Sequence, residues 1–458
     1  MKPPKPVPRP ARVSLWRYWR LFRKDILSAQ PERLYRAWMA EFKTPFFRSF
    51  MVNQPDLVKF VLDKSDGPFP KSRRVTAGLR PLLGNSVFVS NGETWAHQRR
   101  IIDPAFDRGR LSESLPAMHA AANAAVSRMP GGRVNVEAVA SHATADVIFR
   151  TLFSLPIDDD LAAETYEAFR AFQRAQPVAT LSALSPRLPV VHRRRTRRAA
   201  KRLRSLISKL VLRRARDIEA GTAPDDLATR LMTTPDSQTG RTFTPAEMED
   251  QVAIFFLAGH ETSASLLGWA LWCLAAAPDW GARVADEARR YEALGEGAPL
   301  SALKDTRSVL RETLRLYPPV PMMVREASEA QTFRDRNVPR GSQIVVSPWH
   351  LHRHERLWKE PDCFDPARWE AGAGAPARKD AYIPFSAGPR VCPGAGFAMA
   401  EAAILLSALM ARFSFETMED PVPVAHLTVR ARDGIWLNVN PRPSADPLAS
   451  QALEEQIS

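Results

Sequence analysis

Cysteine is scarce in this chain. Its 458 residues hold three, Cys273, Cys363 and Cys392, and no Cys-x-x-Cys pair occurs. That argues against a disulfide framework and a thiolate zinc site, and fits a reducing, cytoplasmic setting. Strand-like alternation is scarce too, confined to "PFFRSFMVN" (45–53), "GNSVFVSN" (84–91), "SQIVVSP" (342–348) and "IWLNVN" (435–440). No internal repeat is visible. Acidic residues number 50 against 64 Lys plus Arg, a net charge of +14. A basic balance attracts anionic partners, but no groove-reading motif accompanies it, so nucleic acid is not an expected partner. The opening "MKPPKPVPRP" is too polar for a signal peptide or membrane anchor.

What fills the chain is helical periodicity. The densest basic run, "HRRRTRRAAKRLRS" (192–205), continues into a stretch where Leu203, Leu206, Ile207 and Leu210 recur at helical spacing. This reads as a long amphipathic helix with a solvated basic face. In "SLWRYWRLFRKDIL" (14–27), Trp16, Trp19, Phe22 and Ile26 share a side while Arg17, Arg20, Arg23 and Lys24 take others. Such a helix either packs on the body of the protein or makes a peripheral membrane contact. The most helical stretch is 244–277. Thr244 caps it, Pro245 suits its first position, Glu247 completes a capping box and Pro278 stops it. From Val252 it is apolar nearly all round. "GHET" at its middle argues against a membrane span, because an acid there costs about 2.5–3.5 kcal/mol in hydrocarbon. A buried central helix carrying a polar site is the expectation.

Residues 385–394 read "FSAGPRVCPG". Gly388 permits a backbone conformation closed to other residues. Pro393 opens a second helical run, "GAGFAMAEAAILLSALMARF". Cys392 then lies at a helix N-terminus, where the dipole and free N–H groups lower a thiol pKa. A lone cysteine is usually a small buried hydrophobe, but the surrounding pattern is specific. Phe385-x-x-Gly388-x-Arg390-x-Cys392-x-Gly394, extended by Ala398 and Glu401, resembles the heme-thiolate signature of the cytochrome P450 family.

Other motifs agree in the family's order. Glu312-x-x-Arg315 is followed by "FDPARW", similar to the loop that donates a third member, Arg368. The resemblance implies a buried ion network of Glu312, Arg315 and Arg368 bracing the cysteine loop. Ala367 and Trp369 depart from the family's usual Glu and Phe. "TWAHQRR" (94–100) is similar to the family's Trp-x-x-x-Arg helix. By that likeness Trp95, Arg99, Arg325 and Arg390 hold the propionates of heme b, Phe385 and Gly394 shape its thiolate turn, and Cys392 binds the iron. His97 falls outside this site. The implied fold is mainly α with small β-sheets: an N-terminal segment and first helix (1–39), one wedge-shaped catalytic unit (40–440) with a long central helix over a buried heme, and a tail (441–458).

"AGHETS" (258–263) matches the family's oxygen-activation segment. There Gly259 would let oxygen and water approach, Thr262 would open the helix locally and hydrogen-bond dioxygen, and Glu261 would relay protons through water. Keeping both Glu261 and Thr262 implies dioxygen chemistry rather than peroxide use or hydroperoxide rearrangement. No flavin or iron–sulfur unit is fused to the chain, so electrons would come from a separate ferredoxin or flavodoxin with its reductase. Leu83, Phe88, Phe255, Ala258, Met322, Met323 and Val324 would line the pocket, and 177–189 reads as a lid. The expected reaction is oxygen insertion into a lipophilic fatty acid, terpene or steroid by a cytoplasmic monomer. Oxidative coupling or dehydrogenation, and a non-enzymatic heme-thiolate sensor, are the alternatives. A structural or membrane-binding protein with an inert Cys392 would bind no heme.

Overall fold

Helices are the main secondary structure of the described residues, and several, α1, α6, α9, α10 and α14 below, start at a side-chain cap. The structure is a computed structural model that describes residues 1–10, 12–43, 48–175, 192–295, 297–370, 380–425 and 427–443. In chain order the helices are α1 (Leu15–Lys24), α2 (Pro55–Asp63), α3 (Arg73–Leu83), α4 (Gly92–Ala105), α5 (Leu111–Ser127), α6 (Val136–Phe153), α7 (Asp160–Ala175), α8 (Arg194–Glu219), α9 (Leu227–Thr233), α10 (Pro245–Phe255), α11 (Glu261–Ala275), α12 (Pro278–Ala293), α13 (Lys304–Leu316), α14 (Pro348–Leu351) and α15 (Ala395–Arg412). The proposed lid at 177–189 and most of the tail, from 444 on, lie outside the described residues.

The central helix is the one the sequence announces, with one interruption. Thr244 and Glu247 form the reciprocal capping box, with Thr244 N–H donating to Glu247 Oε2 at 2.9 Å and Glu247 N–H to Thr244 Oγ1 at 3.3 Å. Between α10 and α11 the ladder widens into a π-helical turn, Phe256–His260. Thr262 Oγ1 donates to the Ala258 carbonyl at 2.5 Å, a bond that competes with the helix's own ladder and opens it there. Pro278 does not merely stop the helix. It is the first residue of α12.

The main core forms where α11 packs on α6, α15 and α13, and α15 packs on α5 and α12. By length and composition α15 would span a membrane, but it is largely buried in this core. A second apolar cluster joins α6, α7, α8 and α10. In α8, Leu203, Leu206, Ile207 and Leu210 are buried, as their spacing predicts.

The strands form small sheets. β1 (Met39–Lys43), β2 (Arg48–Val52), β4 (Met323–Glu326) and β7 (Gln343–Val346) make a four-stranded sheet in the order β1-β2-β7-β4. β3 (Gly132–Asn135), β8 (Phe413–Thr417) and β11 (Trp436–Pro441) make a three-stranded one, and β5 (Gln331–Phe333) with β6 (Arg336–Val338) and β9 (Pro423–Ala425) with β10 (Val429–Ala431) make two hairpins. "GNSVFVSN" (84–91) is not a strand. It folds into local turns, with Ser86 N–H donating to Leu83 O and Val89 N–H to Ser86 O. Its Asn85 and Val87 N–H groups go to the side chains of Asp250 and Gln251 on α10. These acceptors take the donors that a neighbouring strand would have taken.

The N-terminal segment lies along the body. Met1 O accepts from Phe364 N–H, Pro4 O from the Tyr317 hydroxyl, and Lys5 pairs with Asp362.

Candidate active site

The cysteine turn is held by its own backbone. Cys392 N–H donates to Phe385 O at 2.9 Å, closing the loop that starts at Phe385. Gly388 has φ +68°, and a Cβ there would lie 2.5 Å from Leu62 O on α2. Any side chain would both strain the turn and push the loop off α2. α15 begins at Ala395 with Gly394 as its cap, slightly later than the sequence implies. Gly394 N–H still reaches the Cys392 sulfur, and the Phe106 ring packs 3.8 Å from the place a Cβ on Gly394 would take.

Cys392 lies deep among protein atoms, yet its side chain keeps accessible surface, so it faces an internal space. Burial pushes its thiol up, and the Gly394 N–H and Arg99 pull it down only in part. In the protein alone burial outweighs these two contributions, and a bound metal ion would deprotonate the sulfur outright.

A cluster of cations meets the turn. Arg325 is 1% exposed, and its Nε has no hydrogen-bond partner. Its Nη1 reaches only Val324 O, at 3.5 Å. Burial, with Arg390 adding to it, pushes the Arg325 guanidinium down to about 10. Lys71 bridges to Arg325 through the backbone and sits with its Nζ 4.0 Å from the Phe88 ring centroid. Burial, then Arg325 and Arg390, hold its ammonium well below the ordinary lysine range. A buried guanidinium without an anion is costly. Such a cluster fits the carboxylates of a prosthetic group, and with the accessible sulfur of Cys392 the donor set fits heme.

The other propionate candidates are more occupied than the sequence implied. Arg390 spends its donors on Asp66 Oδ1 (3.2 Å), Ser90 O (3.0 Å) and Asn91 Oδ1 (3.0 Å), and its guanidinium lies 4.4 Å from the Trp95 ring centroid. Arg99 donates to Val391 O at 2.8 Å and pairs with Asp103. It grips the cysteine loop itself. His97 faces away, with Nδ1 2.6 Å from Asp236 Oδ2.

Behind the turn stands the ion network. Glu312 and Arg315 on α13 are wholly buried and paired in a fork, Nε to Oε2 at 2.9 Å and Nη2 to Oε1 at 2.8 Å. Arg368 Nε adds 3.1 Å to Oε1, Asp365 N–H 2.9 Å to Oε1 and Trp369 Nε1 3.0 Å to Oε2. Burial pushes the Glu312 carboxyl up, but Arg315, Arg368 and the Asp365 N–H overcome it and hold it below its ordinary value. Arg315 also ties His352 O, and His352 Nε2 accepts from Ile383 N–H, just ahead of Phe385. Trp369, where the family usually has Phe, thus adds a donor to the network.

On the central helix the three predicted residues separate. Thr262 keeps accessible surface, as do Ala258 and Phe255. Gly259 faces the other way. A Cβ on it would lie 2.5 Å from Ile148 Cδ1 on α6. Its missing side chain serves helix packing, not oxygen approach. Glu261 is buried against α7 and the β9–β10 hairpin, bonded by Gln173, by Thr428 (3.2 Å) and by Arg430 (3.3 Å). It is adjacent to Thr262 in sequence but committed elsewhere in space. His260 Nε2 meets Ser141 Oγ at 2.8 Å.

Of the pocket candidates, Phe88, Met322, Met323 and Val324 are partly accessible. Leu83 is not. It is 0% exposed inside the second core cluster, because α3 turns its last residues inward toward α8 and α10. Sequence reasoning missed Lys71, which nothing sets apart in "PFPKSRR", and Phe106, which links Phe255 (5.8 Å between centroids) to Gly394. It also left Gln173, Thr428 and Arg430 unassigned.

Glu401, the last member of the cysteine motif, is wholly buried. Ser263 Oγ donates to its Oε2 at 2.6 Å, and its Oε1 has no partner. Burial pushes the carboxyl up to about 8, only partly opposed by Ser263. A folded-state value above the unfolded one means the native state holds the extra proton. This group's contribution is then fully favourable below its ordinary range and lost as pH rises toward 8. Glu401→Gln should therefore gain on the parent chain in thermal midpoint as pH rises from about 5 to about 8, and gain no more above that. A constant gap across this range, read by differential scanning calorimetry, would contradict the assignment.

The comparisons with known proteins agree with this site. A family profile described as "Cytochrome P450" matches residues 27–435. The chain is 33% identical over 389 residues to a cyclooctat-9-en-7-ol 5-monooxygenase of Streptomyces melanosporofaciens, covering 82% of this chain and 81% of the relative. It is 32% identical over 403 residues to a cyclooctatin synthase of the same organism, covering 84% and 83%. A cytokinin hydroxylase of Arabidopsis thaliana is 31% identical over 406 residues, covering 85% and 78%. With an accessible cysteine sulfur, an orphaned buried guanidinium and a forked ion network behind them, this chain belongs to the cytochrome P450 family and is a heme-thiolate monooxygenase.

Proposed function

We propose that this P450 takes two electrons, one at a time, from a separate ferredoxin or flavodoxin with its reductase. With them it inserts one atom of dioxygen into a lipophilic fatty acid, terpene or steroid and releases the other as water. A bound heme with cysteinate ligation supplies the oxygen activation. The observation that carries the reading is Thr262, accessible just after the π-helical turn, with its hydroxyl oxygen 2.5 Å from the Ala258 carbonyl oxygen.

This chain's residues then divide the work. Cys392 supplies the sulfur. Arg325 and Lys71 supply charge for the carboxylates. Thr262 Oγ1 keeps both a movable proton and lone pairs for water, as a relay beside the reacting atoms needs. Glu261 joins that relay only by leaving Gln173, Thr428 and Arg430, so its part is a gated one. Phe88, Phe255, Ala258, Met322 and Val324 offer an apolar wall. That suits a hydrocarbon skeleton, and the name cyclooctat-9-en-7-ol in one relative denotes an unsaturated alcohol. The free cysteines among the described residues fit a cytoplasmic setting.

Thr262→Ala should retain heme and substrate-induced spin-state change, while product per electron pair falls about ten-fold or more and hydrogen peroxide rises to match. Full coupling in that variant would remove Thr262 from the relay. Labelled dioxygen decides the reaction class: label in the product supports insertion, and unlabelled product marks coupling or dehydrogenation instead.

A further inference from the structure

One cleft takes no part in the chemistry above. It lies between α3 and α8 and holds about 620 Å³, a size ordinary for a small-ligand site. Ala77 and Arg80 stand on its α3 wall, and Arg197, Lys201 and Arg204 on its α8 wall. Positions 197, 201 and 204 recur at helical spacing, so they share one face of α8. Two bonds tie the walls together. His192, just ahead of α8, donates from Nε2 to Ala77 O at 3.1 Å, and Arg204 donates to Leu82 O at 2.9 Å.

The lining is cationic and holds no acid. Neither 71–85 nor 192–216 contains an Asp or Glu. Glu249 and Asp250 of α10 reach Arg204. Arg80, Arg197 and Lys201 are exposed, and none of the three forms an ion pair among the described residues. Arg197 and Lys201, four apart on one helix, repel each other. Arg80 adds a third like charge from the facing helix. The arrangement costs stability unless an anion from outside the chain answers it.

The geometry selects the kind of anion. The cations come from two facing walls onto one concave volume, which suits a compact ligand rather than an extended polyanion. Guanidinium forks match phosphate oxygens two at a time. A single carboxylate would leave two of the three free cations unanswered, whereas two linked phosphates reach all of them. The cleft is also joined to the substrate wall. Arg204 pairs with Asp250 at 2.7 Å, and Asp250 Oδ2 accepts from Asn85 N–H at 2.7 Å, three residues ahead of Phe88.

We infer that the α3–α8 cleft binds the diphosphate group of a soluble small molecule. Held between Arg80 and the Arg197–Lys201 row, the group draws α3 against α8 and, through Arg204 and Asp250, steadies the segment that carries Phe88. A nucleotide-type effector and the head of a lipophilic diphosphate substrate share this chemistry. Only the role of Phe88 here rests on the function proposed above.

Isothermal titration calorimetry of the full, heme-loaded chain with sodium diphosphate, in about 50 mM salt, tests this. One saturable site is expected, at least about ten-fold tighter than for acetate. Arg80→Gln/Arg197→Gln/Lys201→Gln should weaken it at least about thirty-fold. Arg290→Gln/Lys304→Gln, on α12 and α13, should leave it within about two-fold. Without ligand the triple variant should melt no lower than the parent, because like charges have left. Saturating diphosphate should raise the parent's midpoint and not the variant's. An unchanged carbon-monoxide spectrum certifies folding in each variant. Two further ligands separate the sources: a heme spin-state shift with geranyl diphosphate, lost in the triple variant, marks a substrate head, and ADP binding without such a shift marks an effector. No saturable diphosphate site, affinity no better than acetate's, or an equal loss in the α12–α13 control would overturn the proposal. So would capture of heparin or anionic vesicles without capture of diphosphate. Calorimetry reads the cleft without turnover, so its failure would leave the proposed function standing.

Discussion

Cys392→Ser should abolish the thiolate carbon-monoxide spectrum of the reduced, heme-loaded protein and lower turnover by at least about a hundred-fold. The reason is electronic rather than structural. A serine hydroxyl matches the thiol in shape, accepts the same Gly394 N–H, and leaves the backbone bond from residue 392 to Phe385 O in place. Far-ultraviolet circular dichroism and the urea midpoint should therefore stay close to the parent's. What disappears is a soft, polarisable sulfur able to push electron density onto iron. Cys363→Ser is the control. That residue is half-buried with its thiol 3.5 Å from Glu360, and its loss should leave the spectrum unaltered. A thiolate spectrum surviving in Cys392→Ser, or lost in Cys363→Ser, would place the ligand elsewhere.

The second large effect is on stability. Glu312→Ala should cost about 3–5 kcal/mol, because it strands Arg315 and most of Arg368 inside the protein without a counter-charge. The indole N–H of Trp369 and the N–H of Asp365 lose their acceptor as well. Glu312→Leu with Arg315→Leu should be milder than Glu312→Ala alone, since two charges leave together. Acid supplies an independent reading. The Glu312 carboxyl titrates below its ordinary value when folded. Its contribution is therefore complete above the ordinary carboxyl range and lost as pH falls through the folded value. Below about pH 4 the gap in urea midpoint between the parent and Glu312→Gln should close. A gap that stays constant with pH would mean that the network is not held by an ionised Glu312. Because His352 connects Arg315 to Ile383, Glu312→Ala should also bind heme poorly, with the turn no longer held in place.

Some elements were legible in the sequence because the physics that makes them is local. A capping box needs only Thr244 and Glu247, three residues apart, and it formed. The helix opening needs only a threonine hydroxyl and a carbonyl one turn back, and Thr262 with Ala258 supplied them. The turn at 385–394 needs a glycine with positive φ, and Gly388 has it. Where partners come from distant segments, the same local reasoning pointed the wrong way. The alternation in 84–91 suggested a strand, but Asp250 and Gln251 took its donors. Gly259 suggested access for oxygen, but Ile148 occupies that side. Leu83 suggested a pocket wall and is core.

The sequence by itself determined that Cys392 would be presented in a constrained turn, that Glu312, Arg315 and Arg368 would be available as a network, and that a long apolar helix would carry Thr262. The turn and the helix follow from residue types at fixed spacing along one segment, whereas the joining of Arg368, 56 residues beyond Glu312, to the network is what the family resemblance implied. Tertiary structure alone decided that Arg325 and Lys71 lack an anion, that Glu401 keeps its proton and that Glu261 is committed to Gln173 and Arg430. The physical reason is that charge state and solvation depend on what lies across a few ångströms of space, and those neighbours are drawn from segments far apart in the chain.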